Sequence, residues 1–424
     1  MPYVNPIPNG VYLDNNATMP LLPSVREALV HALESPFDLA NPSSIHKPGQ
    51  RAKERLYQAK KALSEYLGTQ DAEQWIFISG ATEGINTILK SFEGSAAVAY
   101  SNVDHSAVFE SVAKMKWQQS FELKVKSSGQ FCENSLSEFE AALEAYFDTS
   151  DQEDKKCLLN WQLVNNETGL MFRLEILETL IKKFNTPKKQ RLFVLVDAAQ
   201  ALGKVDESYI RKAMHLADYM VFSAHKIGGP MGIGALWMRE GIPFSPLVQG
   251  GSQEKRRRAG THNTLGIAGF LAAIQDWKKN GETYRTHMHE LKKRALMQLS
   301  RIEGFSLHGD QKAQSLSNTF NFHFAGCRDE SLLLALDLEG FYLSSGSACN
   351  SGSLKPSRVL LNMGISEEDA LSSLRFCIGP QNTEEEIDLF CERLEHRVKH
   401  IRESRSKWDS VLPEMKPDAK DVTP

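Results

Sequence analysis

The sequence predicts an α/β protein in which a mostly parallel β-sheet is sandwiched by helices and followed by a smaller α+β C-terminal domain. Between about residues 74 and 240, short apolar or β-branched runs alternate with amphipathic helical stretches. Several of these runs are too apolar to have a wet face, which is the pattern of strands buried on both sides beneath crossover helices. From about residue 266 the pattern changes to a long helical stretch and fewer strands. A chain of 424 residues also exceeds what one core usually supports. We therefore expect a large domain over 17–280, a small one over 281–412 with 1–16 packed on it, and a frayed tail at 413–424.

In order, the expected strands of the large sheet are "QWIFIS" (74–79), "AAVAY" (96–100), "FELKVK" (121–126), "CLLNWQLV" (157–164), "LFVLVD" (192–197), "YMVFSA" (219–224) and "IGALWM" (233–238). After the first comes a helix whose periodicity is plain. Ile85, Ile88, Leu89 and Phe92 fall at i, i+3, i+4 and i+7 behind a Thr82 cap. Beyond the sheet, "MHELKKRALMQLSRI" reads as helix, "SNTFNFHF" (317–324) as a strand, and "TEEEIDLFCERLEHRVKHIRES" as a final charged helix.

Bulk composition narrows the function. A formal net charge of −4 argues against nucleic acid as the partner, and the single basic run "KRRR" (255–258) reads as a solvated loop. No apolar run approaches the roughly 18 residues of a membrane helix, and "MPYVNPIPNG" lacks the pattern of an export signal. The expectation is a cytoplasmic protein that binds neither membrane nor nucleic acid. Six cysteines (Cys132, Cys157, Cys327, Cys349, Cys377 and Cys391) include no C-x-x-C pair, which argues against a zinc site or a disulfide framework.

Ligands of open parallel sheets sit outside the carboxyl ends of the strands, so the polar residues ending each run are the ones to collect. "GATEG" opens a helix after the first strand and is suited to an anion, because free helix N–H groups and the dipole favour phosphate. "SNVDHS" offers His105. Asn165, Asn166 and Glu167 follow "CLLNWQLV" and fit either a turn or a site. Asp197 ends an apolar strand, where a carboxylate is costly unless paired, and Gln200 follows. "VFSAHKIGGPMGIG" supplies Ser223, His225 and Lys226. Lys226 lies 29 positions after Asp197, about one β-α-β unit, which brings both to the same sheet edge. An acid, a lysine and a phosphate cradle at one edge are what a pyridoxal phosphate site requires: the lysine holds the cofactor covalently and the acid keeps the ring nitrogen protonated. No G-x-G-x-x-G follows a strand and no G-x-x-x-x-G-K-[ST] occurs, so nucleotide readings lack their fingerprints.

These residues resemble the cysteine desulfurases among the class V aminotransferase-like pyridoxal phosphate enzymes. The likeness runs through "VYLDNNATMP", "NPSSIH", "ISGATEG", "NNETG", "VDAAQALGK", "SAHKIGGPMGIGALW", "GGSQEKRRRAGTHN", "SSGSACNSGS" and "SSLRFCIGPQNTEEEID", in that order. It implies the fold type I architecture of pyridoxal phosphate-dependent transferases. It also implies that Lys226 carries the cofactor, Asp197 faces the ring nitrogen and His105 stacks on the ring and moves protons. Gln200 and Asn166 would contact the ring oxygen side. Ala81, Thr82, Ser223 and His225 would hold the phosphate, and Thr261 would reach the phosphate of the neighbouring subunit of a homodimer. Asn41 and Arg375 would hold the substrate carboxylate, for which a fork-shaped guanidinium is suited.

"LSSGSACNSGS" (343–353) sets one thiol among serines and glycines, whereas cysteine is usually buried. The resemblance implies the subgroup with a long mobile cysteine loop. It makes Cys349 the nucleophile that takes sulfur from L-cysteine, leaving a persulfide and releasing L-alanine, with the sulfur passed to an acceptor protein in iron–sulfur cluster assembly or transfer RNA thiolation. No metal is expected at the site. A selenocysteine lyase, another class V aminotransferase and a catalytically silent binding relative are the competing readings. "GGSQEKRRRAGT" departs from the family pattern in its serine and extra basic residues, and "RSKWDSVLPEMKPDAKDVTP" does not clearly resemble tails that dock scaffold proteins.

Overall fold

The structure is a computed structural model that describes residues 10–35, 37, 39–148, 155–310, 314–345 and 355–411. Seven strands form the main sheet in the order Trp75–Ile78, Gly234–Met238, Tyr219–Ser223, Leu192–Asp197, Cys157–Gln162, Ala97–Ser101, Ser120–Leu123. Each lies within a residue or two of a run expected from sequence, except that "FELKVK" stops at Leu123. The sheet is parallel apart from Gly234–Met238, which runs antiparallel to both of its neighbours.

Alternation along the strands gives the sheet two buried faces. Ile76, Ile78, Val98, Leu158, Leu195, Val221 and Leu236 meet the apolar stripes of helices Ala81–Phe92 and Ser106–Lys114. On the other face Trp75, Phe77, Leu159, Trp161, Val194, Val196, Met220 and Phe222 join a second core, built from helices Lys47–Leu67, Leu174–Phe184, Glu207–Leu216 and Thr264–Leu299. Burying each such side chain stabilises the fold by about 1.5–3 kcal/mol. Helix Ala81–Phe92 seats closely because Gly84 has no side chain: a Cβ there would come within 2.6 Å of Val221 Cγ1. That seating sets the helix start against the end of the strand Tyr219–Ser223. The cap is Gly80 rather than Thr82, and the first N–H, of Ala81, donates to Ser223 Oγ at 2.8 Å. A serine from another strand thus does what a local cap would otherwise do.

The C-terminal part contributes a three-stranded antiparallel sheet, Ser373–Cys377, Thr319–Phe324 and Phe305–Leu307, with Arg375 opposite Asn321. Its core, around Phe320, Phe322, Phe376, Phe390 and Leu394, is continuous with the second face of the main sheet. Helix Thr264–Leu299 crosses residue 280 unbroken, so the boundary expected there falls inside one element shared by both parts. Near the amino terminus, Val11–Tyr12 pairs in parallel with Phe341–Tyr342, and Asp14 bridges to Cys377. This lays residues 14–22 across the sheet edge.

Candidate active site

The ends of the parallel strands open into one cavity of about 470 Å³. Ala81, Thr82, His105, Asn166, Asp197, Gln200, Ser223, His225, Lys226 and Arg375 all line it, with Asn16, Asp104, Glu167 and Arg358. Lys226 sits in a 3-10 turn, Ala224–Ile227, directly after its strand. Gly228 closes that turn at φ +73°, where a Cβ would strike Leu22 Cγ at 2.7 Å, so glycine is what lets the amino-terminal segment lie along the turn. Two main-chain bonds fix the segment there, from Met19 N–H to His225 O (2.9 Å) and from Leu22 N–H to Gly228 O (3.0 Å). The Lys226 amine donates to the carbonyls of Asn16 (2.7 Å) and Ala17 (2.9 Å).

Asp197 is 5% exposed and its Oδ1 accepts the Ala199 N–H at 3.0 Å. Burial pushes its carboxyl upward, while the nearby His105 and Lys226 pull it the other way. His105 caps helix Ser106–Lys114, its Nδ1 accepting the Ala107 N–H at 3.1 Å. The ring is therefore unprotonated at Nδ1, and Nε2 is the nitrogen that carries a proton. Burial lowers the pKa of His105, with Asp197 opposing, so the imidazole is neutral at neutral pH. At the helix start, His225 is pushed down to about 4, chiefly by burial and then by Lys226, and its Nδ1 lies 3.3 Å from Thr18 Oγ1.

Arg375 is 2% exposed and comes from the C-terminal sheet. Its Nη2 donates to Asp14 Oδ1 (2.7 Å) and Ser344 Oγ (2.9 Å), and its Nη1 to the Asn166 carbonyl (3.2 Å). Among the described residues its Nε has no partner, nor does Oδ1 of Asn166. Opposite it, Arg358 donates to the carbonyls of Asn102 and Asp104 and stacks over the Phe109 ring at 4.2 Å, while Ser357 donates to Glu167. Burial raises both Asp104 and Glu167 to about 7.

Two expected site residues stand apart from this group. Asn41 is exposed and accepts the Ser43 N–H at 2.9 Å, and Thr261 is exposed; neither lines the cavity of its own chain. Cys349 lies outside the described residues. The residues on either side of its segment, however, are both held at the cavity: Ser344 by Arg375 and Asp14, Ser357 and Arg358 by Glu167 and the His105 turn.

Sequence reasoning missed Asn16, Asp14, Arg358 and Lys204. Each acts across a sequence separation of 180 residues or more, or from a turn with no periodic signal. The buried carboxylates did leave one trace, since Asp104 directly precedes the histidine already singled out.

An α/β enzyme with a buried acid, a neutral imidazole and a lysine amine around one sheet-edge cavity is the class that fold and site define. The family profile described as aminotransferase class-V matches residues 11–390, and the chain belongs to that family, among its cysteine desulfurases. It is 32% identical to the cysteine desulfurase IscS of Methanosarcina thermophila over 398 residues, covering 93% of each chain. It is 34% identical to a cysteine desulfurase of Nostoc sp. over 402 residues, 92% of this chain and 94% of that one. Among solved structures, a NifS-like protein superposes with a TM-score of 0.78 at 29% identity, over 92% of this chain and 100% of that one. Another, from Rickettsia africae, gives 0.79 at 26% identity, over 92% and 99%.

Proposed function

We propose that the chain is a pyridoxal phosphate-dependent cysteine desulfurase that converts L-cysteine to L-alanine and holds the removed sulfur as a persulfide on Cys349. The observation that carries this reading is the convergence of Lys226, Asp197 and His105 on one cavity. The residues fit the cofactor. A lysine amine, a buried carboxylate, a helix start with Ser223 and His225 beside it, and an unpartnered Asn166 Oδ1 supply an attachment point, a ring-nitrogen partner, a phosphate cradle and a polar contact. When held by Lys226, the cofactor supplies an electron sink for bond breaking on the substrate's carbon skeleton.

The rest is work for this chain's own residues. Asp197 holds a proton on the ring nitrogen, which offsets the cost of its buried charge. His105 presents its Nε2–H as the site that gives a proton. Gln200 and Asn166 meet the ring oxygen side, and Ala81, Thr82, Ser223 and His225 the phosphate. Arg375 receives the substrate carboxylate, with Asn41 assigned to the same carboxylate by the resemblance. The Cys349 thiolate attacks the substrate sulfur; the carbon–sulfur bond breaks, its electron pair goes to the carbon skeleton and is then protonated, and the sulfur stays on Cys349. A thiol near its usual pKa of about 8.5 is mostly protonated at neutral pH, so a base must take that proton; His105, protonated at Nε2 and accepting the Ala107 N–H at Nδ1, serves instead as the donor that protonates the carbon skeleton.

The enzyme in this reading is a cytoplasmic homodimer. Thr261, exposed on its own chain, completes the partner's phosphate site, and a sulfur-acceptor protein takes the persulfide onward to iron–sulfur cluster or transfer RNA thiolation chemistry. Among the described residues, no helix is long and apolar enough to cross a membrane. The test is an L-cysteine assay that measures alanine and sulfide together under reductant. The reading expects equal amounts of both, with Cys349→Ala keeping the cofactor's colour but losing sulfide release. Full turnover by Cys349→Ala would replace it with another class V reaction.

A further inference from the structure

A second lysine lies behind the first and makes no contact with the cavity. Lys204 is 2% exposed, one of the largest fully buried side chains in the protein. Its amine donates to Oε1 of Gln200 (2.8 Å) and to Oδ1 of Asn16 (3.1 Å). Both acceptors belong to residues that line the cavity. Gln200 Nε2 in turn donates to the Asn16 main-chain oxygen at 3.0 Å, and that same oxygen receives the Lys226 amine at 2.7 Å. Lys204, Gln200 and Asn16 close a ring of hydrogen bonds, and Lys226 joins it through the Asn16 oxygen.

We infer that Lys204 is a positioning residue: by donating to Gln200 Oε1 and Asn16 Oδ1, it fixes which end of the Gln200 amide faces the cavity and where the Asn16 carbonyl holds Lys226. The inference rests on the reading of the cavity as a pyridoxal phosphate site and assigns a role to a residue outside it. The physical argument is one of hydrogen-bond sign. As an ammonium Lys204 has donors only, so Gln200 turns its oxygen inward to Lys204 and its NH₂ toward Asn16 and the cavity. Gln200 therefore meets the ring oxygen as a donor. Without Lys204 the amide loses the partner that distinguishes its two ends, and a buried Asn16 Oδ1 is left unsatisfied.

A small core reason for Lys204 would be met by any apolar side chain. Instead the chain buries an amine, which costs free energy without a carboxylate partner. Burial pushes Lys204 down to about 7, with the charge of Lys226 acting in the same direction; Arg375 also lowers it and the Cys377 thiol opposes. Around Lys226 itself stand Asp197, His105 and His225. A donor to the ring oxygen and a positive neighbour both disfavour a proton on the cofactor-linked nitrogen of Lys226. Losing them favours it.

The experiment is a pH titration of the visible absorbance of the pyridoxal phosphate-loaded enzyme, which reads the protonation of the linked Lys226 nitrogen. Lys204→Met and Gln200→Leu are each expected to raise the midpoint by about half a unit or more, roughly threefold in proton affinity. Because Lys204 acts through Gln200, the double variant is expected to shift by less than the sum of the two. Should Lys204→Met fail to fold, Asn16→Ala carries the same expectation with a smaller rise, since it removes the oxygen Lys204 uses and keeps the one Lys226 uses. An unchanged midpoint in the folded single variants, or strictly additive shifts, overturns the inference. A parent protein that takes up no cofactor and shows no visible band would overturn the underlying reading instead.

Discussion

Two buried polar clusters in this protein look alike by composition and differ in what they leave open. In the C-terminal sheet, His308 and His323 stack with ring centroids 4.9 Å apart, and their nitrogens are spent on neighbours. His308 Nε2 meets Ser373 Oγ at 2.8 Å, His323 Nε2 meets Asp369 Oδ1 at 3.2 Å, and Ser373 donates to the Asp369 carbonyl at 2.6 Å. At the edge of the main sheet, Asn166 Oδ1, Asp104 Oδ1 and Arg375 Nε are equally buried, yet none has a partner among the described residues, and all three residues line a cavity. A polar cluster that satisfies itself specifies packing. One that stays incomplete around a void is built for a molecule that will complete it.

Substitutions in the two clusters should therefore fail in opposite ways. The largest effect belongs to Lys226→Ala, which removes the attachment point: alanine production from L-cysteine should fall to background and the visible absorbance disappear, with the thermal midpoint of the cofactor-free protein nearly unchanged. Next comes Asp197→Asn, which keeps shape but not charge. The kcat is expected to fall about a hundredfold or more, read by steady-state alanine release, while cofactor stays bound. His308→Leu reverses the pattern. It takes one partner from Ser373 Oγ and the partner of His323 Nδ1, and should cost about 1–3 kcal/mol in urea unfolding with kcat unaltered. A large loss of kcat from His308→Leu in folded protein would break the contrast.

Glu167→Gln sharpens it with a smaller, pH-dependent effect. Burial raises Glu167 from its ordinary 4.5 to about 7, so the folded chain keeps a proton that the unfolded chain releases. Stability conferred by the parent residue is thus present below its unfolded pKa and is lost as pH rises toward 7. The variant, which never ionises, should gain on the parent across that window, by about 1–3 kcal/mol at pH 8, and not at all at pH 4. Denaturation at the two pH values is the check.

Most of the sheet was legible because strands buried on both faces leave unbroken apolar runs, and the spacing of Asp197 and Lys226 carried them to one edge. The antiparallel turn of Gly234–Met238 left no such mark, since its apolar run reads the same in either direction. The Thr82 cap was misread because the group that satisfies the helix start, Ser223 Oγ, lies 142 residues from Ala81. Lys204 and Asp14 were invisible for the same reason. Lys204 stands in "VDAAQALGK", where no local pattern marks it as part of the site, and only the tertiary fold brings Asn16 to it. Short-range pattern reports which residues end strands; it does not report what stands behind them.

The account's central claim is that groups held at one sheet edge act on L-cysteine to load sulfur onto Cys349. Mass spectrometry of the Cys349 peptide after a single turnover with L-cysteine, without reductant, tests it most directly. The account predicts one added sulfur atom on that residue, matched by one alanine released per site. Alanine released with Cys349 unmodified and the sulfur free in solution would contradict it.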